Sequence, residues 1–315
     1  MMKRIRTALC LILAAALLAG CTLLPSESEP EALVPADPLT GHPLEWPGQR
    51  PVAVTIENST ASVTQWGISS ASVVLEALTE SGMPTELCLV YPSLAATPKV
   101  GPVAAGQDIY WRLLVGQQPL PVQRGGGQFD QNYLDYYSIR AVDALEAGRT
   151  AFDCDSEWSN APLWYTSGSA ISKVLDALSI SAALTESRVT SAASAAAASA
   201  SSGSDAVLTV PALLPQEENG KLPDATASDA VNVRVCFDDS NATGFTYDPD
   251  SGLYRMLHAD GTPQLDANNG QQTGFDDLLV LFSASALRDD DTRHSEKGRM
   301  SHCPKRFWQD MVEMR

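Results

Sequence analysis

The chain has no long hydrophobic run. Its main apolar stretch, residues 8–18, is too short to cross a bilayer as a helix, which takes about 20 apolar residues. Basic residues are scarce as well: 21 Lys and Arg stand against 38 Asp and Glu, a net charge of -17. A body this acidic, without clustered cations, is a poor match for nucleic-acid backbones, and no nucleic-acid partner is expected. Histidine is sparse. His42 and His258 are isolated, and His294, His302 and Cys303 fit no zinc spacing, so neither a metal site nor a cofactor is expected. No CxxC pair occurs, and no GxSxG, HExxH, Ser-x-x-Lys, P-loop or GxGxxG pattern stands out. The Asp clusters at 248–250 and 289–291 do not sit in an EF-hand loop. The usual signatures of nucleophilic hydrolysis and of phosphate or dinucleotide binding are therefore missing.

What is present begins at the N-terminus. MMKRIR supplies positive charge, the short apolar stretch follows, and Leu18-Ala19-Gly20-Cys21 comes next. That tetrapeptide looks like a bacterial lipobox. The resemblance implies cleavage after residue 20 and a diacylglyceryl group on the Cys21 thiol, with acyl chains such as palmitate. The expected location is the cell membrane, lipid-anchored on its extracytoplasmic face. Several acyl chains at about 0.8 kcal/mol per buried methylene hold such an anchor where one chain is marginal. Losing residues 1–20 also removes Lys3, Arg4 and Arg6, which leaves the body more acidic still. Residues 21–37, rich in Pro, Ser and Glu, read as a tether. Of the remaining cysteines, Cys88 lies in an apolar run and reads as a small buried hydrophobe, while a disulfide between Cys154 and Cys236 is left open.

Periodicity then sets the fold expectation. Residues 51–56 form a short β-branched run, ended by Glu57-Asn58-Ser59. Ile68, Ala71, Val74, Leu75 and Leu78 repeat at three and four, which predicts a helix with Gly82 and Pro84 closing it. Residues 87–91 are a second apolar run. A strand, a crossover helix and a strand favour parallel pairing, so a β-α-β unit is expected over 50–91. Further helices are expected within 103–116, 132–148 and 169–178, with a strand at 120–123. Residues 191–204 are an Ala/Ser tract that cannot build a core, so residues 186–230 are assigned to a linker or insertion between an α/β domain at 38–185 and a β-rich domain at 231–291. In the latter, residues 245–258 read as a hairpin around a tight turn at 248–252, and 278–282 as a strand. Residues 292–315 form an atypical basic tail.

The candidate site residues follow from this layout. Glu57 and Asn58 fall at the carboxyl end of the first strand, where open α/β sheets place ligands. Arg124-Gly125-Gly126-Gly127 follows a strand; its glycines permit close backbone approach, with Arg124 and Asp130 at the rim to hold an anion or a sugar hydroxyl. A flexible turn is the alternative. Glu76 and Glu80, one helical turn apart, read as solvated surface residues. Trp66, Trp111, Trp158 and Trp164 serve either the core or stacking on sugar rings.

The segments PLTGHPL, RPVAVTIEN, WGISSASVVLEALTESGMPTELCLVY, KVGPV, APLWYTS and FTYDPDSGLYRM, in this order, resemble the YerB-like family of bacterial lipoproteins over residues 38–282. The resemblance implies an extracytoplasmic lipoprotein with an α/β N-terminal domain, a parallel or mixed sheet with covering helices, plus a smaller β-rich C-terminal domain. It brings no catalytic residues. Where related sequences tend to carry arginines just after the KVGP turn, this chain has Ala104, Ala105 and Gly106. The expectation is a binding or interaction module of the cell envelope, held at the membrane by its lipid and meeting a wall glycan, a peptide or an envelope protein. The alternative is an enzyme acting on cell-wall material through Glu57 and residues 124–130.

Overall fold

The computed structural model describes residues 35–58, 64–79, 83–155, 162–184, 210–214 and 229–282, together with the backbone of two short paired strands at 285–287 and 300–302. The described residues from Ala36 onward belong to one compact unit. The expectations for residues 1–34, Cys21 among them, for Trp158 and Glu80, for the Ala/Ser tract and for most of the basic tail lie outside the described residues.

The organising strand is β1, Val52–Glu57. It is central in a five-stranded mixed sheet of order β2-β3-β1-β4-β5, where β2 is Val73–Ala77, β3 Glu86–Tyr91, β4 Leu120–Gln123 and β5 Val142–Asp143. β3 runs antiparallel to β1, with Val52 opposite Tyr91 and Glu57 opposite Glu86. β4 runs parallel to β1, and β5 parallel to β4.

This corrects the crossover-helix expectation for residues 68–78. Only Ile68–Ser70 coils, as one 3-10 turn, and β2 then pairs antiparallel with β3. Two causes make the strand win. Val73 and Val74 are β-branched, which favours a pleated backbone over a helix. The strand also packs on both faces: Val74 joins the core on one side, Val73 and Leu75 that on the other. A two-sided strand loses the alternation that marks a half-exposed one, so its apolar spacing imitated a helical stripe.

Each sheet face has its own core. Val52, Val54 and Ile56 point to the first, with Ile68, Leu87, Leu89 and Phe152. Ala53, Cys88 and Val90 point to the second, which is covered by Tyr110, Trp111 and Leu114 of α1 (Asp108–Leu114) and by Tyr133 and Leu134 of α2 (Gln128–Tyr136). The helix expected within 132–148 resolves into α2, then β5, then the single turn α3 (Ala144–Ala147). A two-stranded ribbon, β6 (Asp153–Asp155) and β7 (Leu163–Tyr165), leads to α4 (Gly168–Ile171), which is shorter than the 169–178 spacing suggests.

The β-rich part is an antiparallel sheet of order β13-β10-β9-β8, with β8 Asn232–Cys236, β9 Ala242–Asp248, β10 Leu253–Leu257 and β13 Gly274–Phe275. The hairpin turn lies at 248–252, as its Asp-Pro-Asp-Ser-Gly chemistry dictates. Between β10 and β13, β11 (Leu265–Asp266) pairs with β12 (Gln271–Gln272). Residues 278–282 form no strand; Leu279 and Phe282 are exposed there. Met256 enters the first core, and Phe245 and Phe275 pack against it. Cys154 and Cys236 are free thiols, so they form no disulfide, and Cys88 is fully buried as expected.

Candidate functional site

The carboxyl edge of β1 and β4 is built by segment 99–106, the KVGPVAAG stretch. Its backbone hydrogen-bonds every neighbouring chain in turn. Val100 exchanges bonds with Thr166 at 2.8 and 3.0 Å, and Gly101 with Trp66 at 3.2 and 2.8 Å. Pro102 O accepts from Glu57 N at 3.0 Å, and Val103 N donates to Trp164 O at 2.7 Å. Ala104 lies between Thr55 and Arg124: its N–H donates to Thr55 O, and its carbonyl accepts from Arg124 N, both at 2.8 Å. Gly106 N then donates to Gly125 O at 2.8 Å. Glycine is required at Gly101, where φ is +145° and a Cβ would come within 2.8 Å of both Trp164 O and the Tyr165 ring.

The predicted site residues separate into three groups around this edge. Glu57 and Arg124 lie close enough for their charges to interact. Burial pushes the Glu57 carboxyl up, and the Arg124 guanidinium partly opposes that. Tyr165 stands beside them, its hydroxyl pushed up by burial and by the charges of Asp155 and Glu57. On the same ring sits the Lys99 ammonium, 4.7 Å from the Tyr165 centroid and 3.7 Å from that of Trp66.

Asn58 turns away from Glu57 into a second group. Its Nδ2 donates to Glu76 Oε1 at 3.0 Å and to Thr85 Oγ1 at 2.7 Å. Glu76 also accepts from Thr85 and, across the chain, from Thr243 of β9, each at 2.6 Å. Gln65 joins in by donating to Glu57 O and Asn58 Oδ1, and it accepts from Gln264. Burial raises the Glu76 pKa against these three hydrogen bonds. The expectation of a solvated Glu76 on a surface helix is therefore corrected: it is a strand residue that ties the sheet to the β-rich part.

Asp130 and the glycines form the third group. The Asp130 carboxylate is 2 % exposed and accepts from Trp111 Nε1 at 2.5 Å and Gln123 Nε2 at 2.9 Å. Burial pushes its pKa up to about 6 despite these donors, with Asp108 and Asp143 adding to the rise. Asp143 accepts from Gly125 N at 2.9 Å and caps α3 through Leu145 N at 2.8 Å. A Cβ on Gly126 would overlap the Asp130 carboxylate, and one on Gly106 would overlap Gln123. Gly125 takes φ +69°, and Gly127 opens α2. The glycine turn is thus closed down onto a buried acid. Asp130 is its floor and stays out of reach of a ligand at the rim.

Of the predicted residues, then, Glu57 and Arg124 share an accessible edge, while Asn58 and Asp130 serve buried networks on either side of it. Lys99, not singled out from the sequence, completes the edge over the buried Tyr165 ring, and Trp66 reaches it for an aromatic face. The only local signal of Lys99 and Tyr165 was the KVGP and LWYT wording; the chain distance between them hid their contact.

Residues 39–181 match the family described as "Protein of unknown function (DUF3048) N-terminal domain". YerB of Bacillus subtilis (strain 168), named as a lipoprotein, is 24% identical over 262 residues, covering 81% of this chain and 70% of its own. The crystal structure of the B. subtilis YerB protein superposes with a TM-score of 0.64 at 21% identity, over 85% of this chain and 79% of that one. The chain resembles YerB in sequence and shares its fold. The mixed sheet with covering helices and the separate antiparallel β-rich region are the YerB fold. In this chain, Ala104 and Gly106 after the KVGP turn are buried, and Gly106 leaves no room for a side chain. The cationic character of the edge comes instead from Arg124 and Lys99.

Proposed function

We propose that this chain is a lipid-tethered binding module of the bacterial cell envelope, and that the edge carrying Glu57, Arg124, Lys99 and Trp66, backed by the buried Tyr165 ring, is its contact surface. The anchor is inferred from the lipobox ending at Cys21 and from the naming of the related YerB as a lipoprotein. The observation that carries the binding role is segment 99–106, whose backbone bonds bring two cations, a carboxyl group and two aromatic rings from four distant parts of the chain to one edge. Such a mix of flat apolar faces and charge suits a wall glycan, a peptide or an envelope protein. Full-length protein should sediment with purified cell-wall sacculi or crosslink to a specific envelope protein, and Trp66→Ala combined with Arg124→Gln should abolish either result. Failure of the wild type to do either would end the proposal. Mass spectrometry of the mature chain should find diacylglyceryl on Cys21, and a free thiol there would remove the tether.

One observation favours a second reading, an enzyme acting on cell-wall material: Glu57 holds its proton more tightly than a solvated carboxyl, as a general acid must. In that case Glu57→Gln would abolish release of soluble wall fragments by the wild type; no release by the wild type excludes it.

A further inference from the structure

The arginines of this chain divide sharply by what their guanidinium groups touch. Arg50 is buried and donates to the carbonyls of Gln118, Ser181 and Pro119 at 2.9, 2.7 and 2.5 Å. Arg112, Arg140 and Arg255 pair with Asp108, Glu146 and Asp248. Arg234 donates to Ala259 O, and Arg149 is exposed to solvent. Arg124 is the exception among the described residues: it is half-buried, its backbone N–H is pinned to Ala104 O, and its guanidinium donates to no protein acceptor. Glu57 feels its charge, but no ion pair closes between them. A guanidinium taken partly out of water without an acceptor is costly, and the matching acceptor is a planar pair of oxygens.

Resting on the binding role proposed above, we infer that this edge recognises a carboxylate group on its ligand, with the Arg124 fork taking both oxygens and Glu57 accepting from an N–H or O–H beside it. A carboxylate fits better than a phosphate for two reasons. Glu57 sits alongside, and the full chain carries -17, so a doubly charged group would be repelled where a single charge is matched by one fork. Lys99, held on the Trp66 and Tyr165 rings, places a second positive charge at the rim for the approach of an anion. The group beside the carboxylate depends on its source: an amide N–H in a peptide C-terminus, a hydroxyl in a sugar acid.

Calorimetric titration of the full-length protein in detergent separates these cases. The probes are acetyl-Ala-Ala with a free carboxylate, the same peptide as its C-terminal amide, glucuronic acid and glucose. The expected result is that one of the two acids binds about ten- to a hundredfold tighter than its neutral counterpart, and which acid it is names the source. Arg124→Gln should erase that preference, Arg124→Lys should recover only part of it, and Arg149→Gln should leave it intact. Equal binding of acid and neutral probes, no binding of either acid, or an unchanged preference in Arg124→Gln overturns the inference. The binding role itself is read separately: sacculus retention without acid preference refutes only the carboxylate, and acid preference without retention or crosslinking refutes only the envelope role.

Discussion

At the scale of single residues, the chemistry is decided by burial more than by identity. Asp130 and Glu57 are both acids near one strand end, yet the former lies under a glycine turn, 2 % exposed, and the latter borders solvent. Asp130 holds a pKa of about 6 in the folded protein against about 3.9 for a solvated aspartate. A raised native pKa means that the native state prefers the protonated form. The stabilising preference is complete below pH ~4 and is lost as pH climbs through about 6, a change of about 3 kcal/mol. Asp130→Asn stays neutral throughout; its Oδ1 can still accept from Trp111 Nε1, and its amide can donate to Gln123 Oε1, buried without a partner among the described residues, once the Gln123 amide turns over. Urea unfolding at pH 4 and pH 7 should therefore show the wild type losing stability relative to Asp130→Asn as pH rises; parallel pH profiles would contradict the assignment. The glycine run was visible in the sequence as a turn with possible ligand reach. Its close packing onto Asp130 was not, because nothing local distinguishes a glycine that admits a ligand from one that admits a side chain of its own protein.

At the scale of elements, the strap at 99–106 explains why the edge exists. It belongs to no helix or strand, yet its N–H and C=O groups complete the sheet edge from both sides, as buried backbone must. Gly101→Ala puts a methyl group against Trp164 O and the Tyr165 ring in a conformation that only glycine adopts freely. We expect a loss of about 2–4 kcal/mol, read by urea denaturation, together with weaker sacculus retention as Trp66 and Tyr165 separate. Wild-type stability and retention in Gly101→Ala would mean that the strap does not set the edge. At this scale the sequence was partly legible. β1, β3, β4, the β9–β10 hairpin and the core of α1 follow from short apolar runs and turn residues, whereas the helix expected within 132–148 overlaps α2 only at 132–136. β2 did not, because a half-buried strand with apolar side chains packed on both faces carries no period of its own, and its partner choice was settled by β3, with which it shares a full register.

For the whole molecule, the sheet and the β-rich part meet through buried polar groups as well as through Met256. Asp266 of β11 is fully buried and accepts from Gly67 N at 3.1 Å, Ser69 N at 2.8 Å and Asn268 N at 2.9 Å, so it caps the 3-10 turn that precedes β2. The Glu76–Thr243 bond adds a second tie. Asp266→Ala leaves the buried Gly67 N–H and the part-buried Ser69 N–H of that turn without acceptors and should cost about 2 kcal/mol. Tryptophan fluorescence, which senses mainly the sheet, and far-UV circular dichroism, which senses both parts, should still lose their signals at one urea concentration. Two separated transitions in the wild type would show that the parts fold independently. What the sequence alone determined was the lipobox-like wording at 18–21, the acidic character, the order of the main strands and the family likeness, since each rests on composition or on residues adjacent in the chain. What only the tertiary structure decided was the antiparallel placement of β2 and the meeting of Lys99, Trp66, Tyr165, Arg124 and Glu57. It also decided which acids are buried, because burial and pairing are set by neighbours tens to hundreds of residues away.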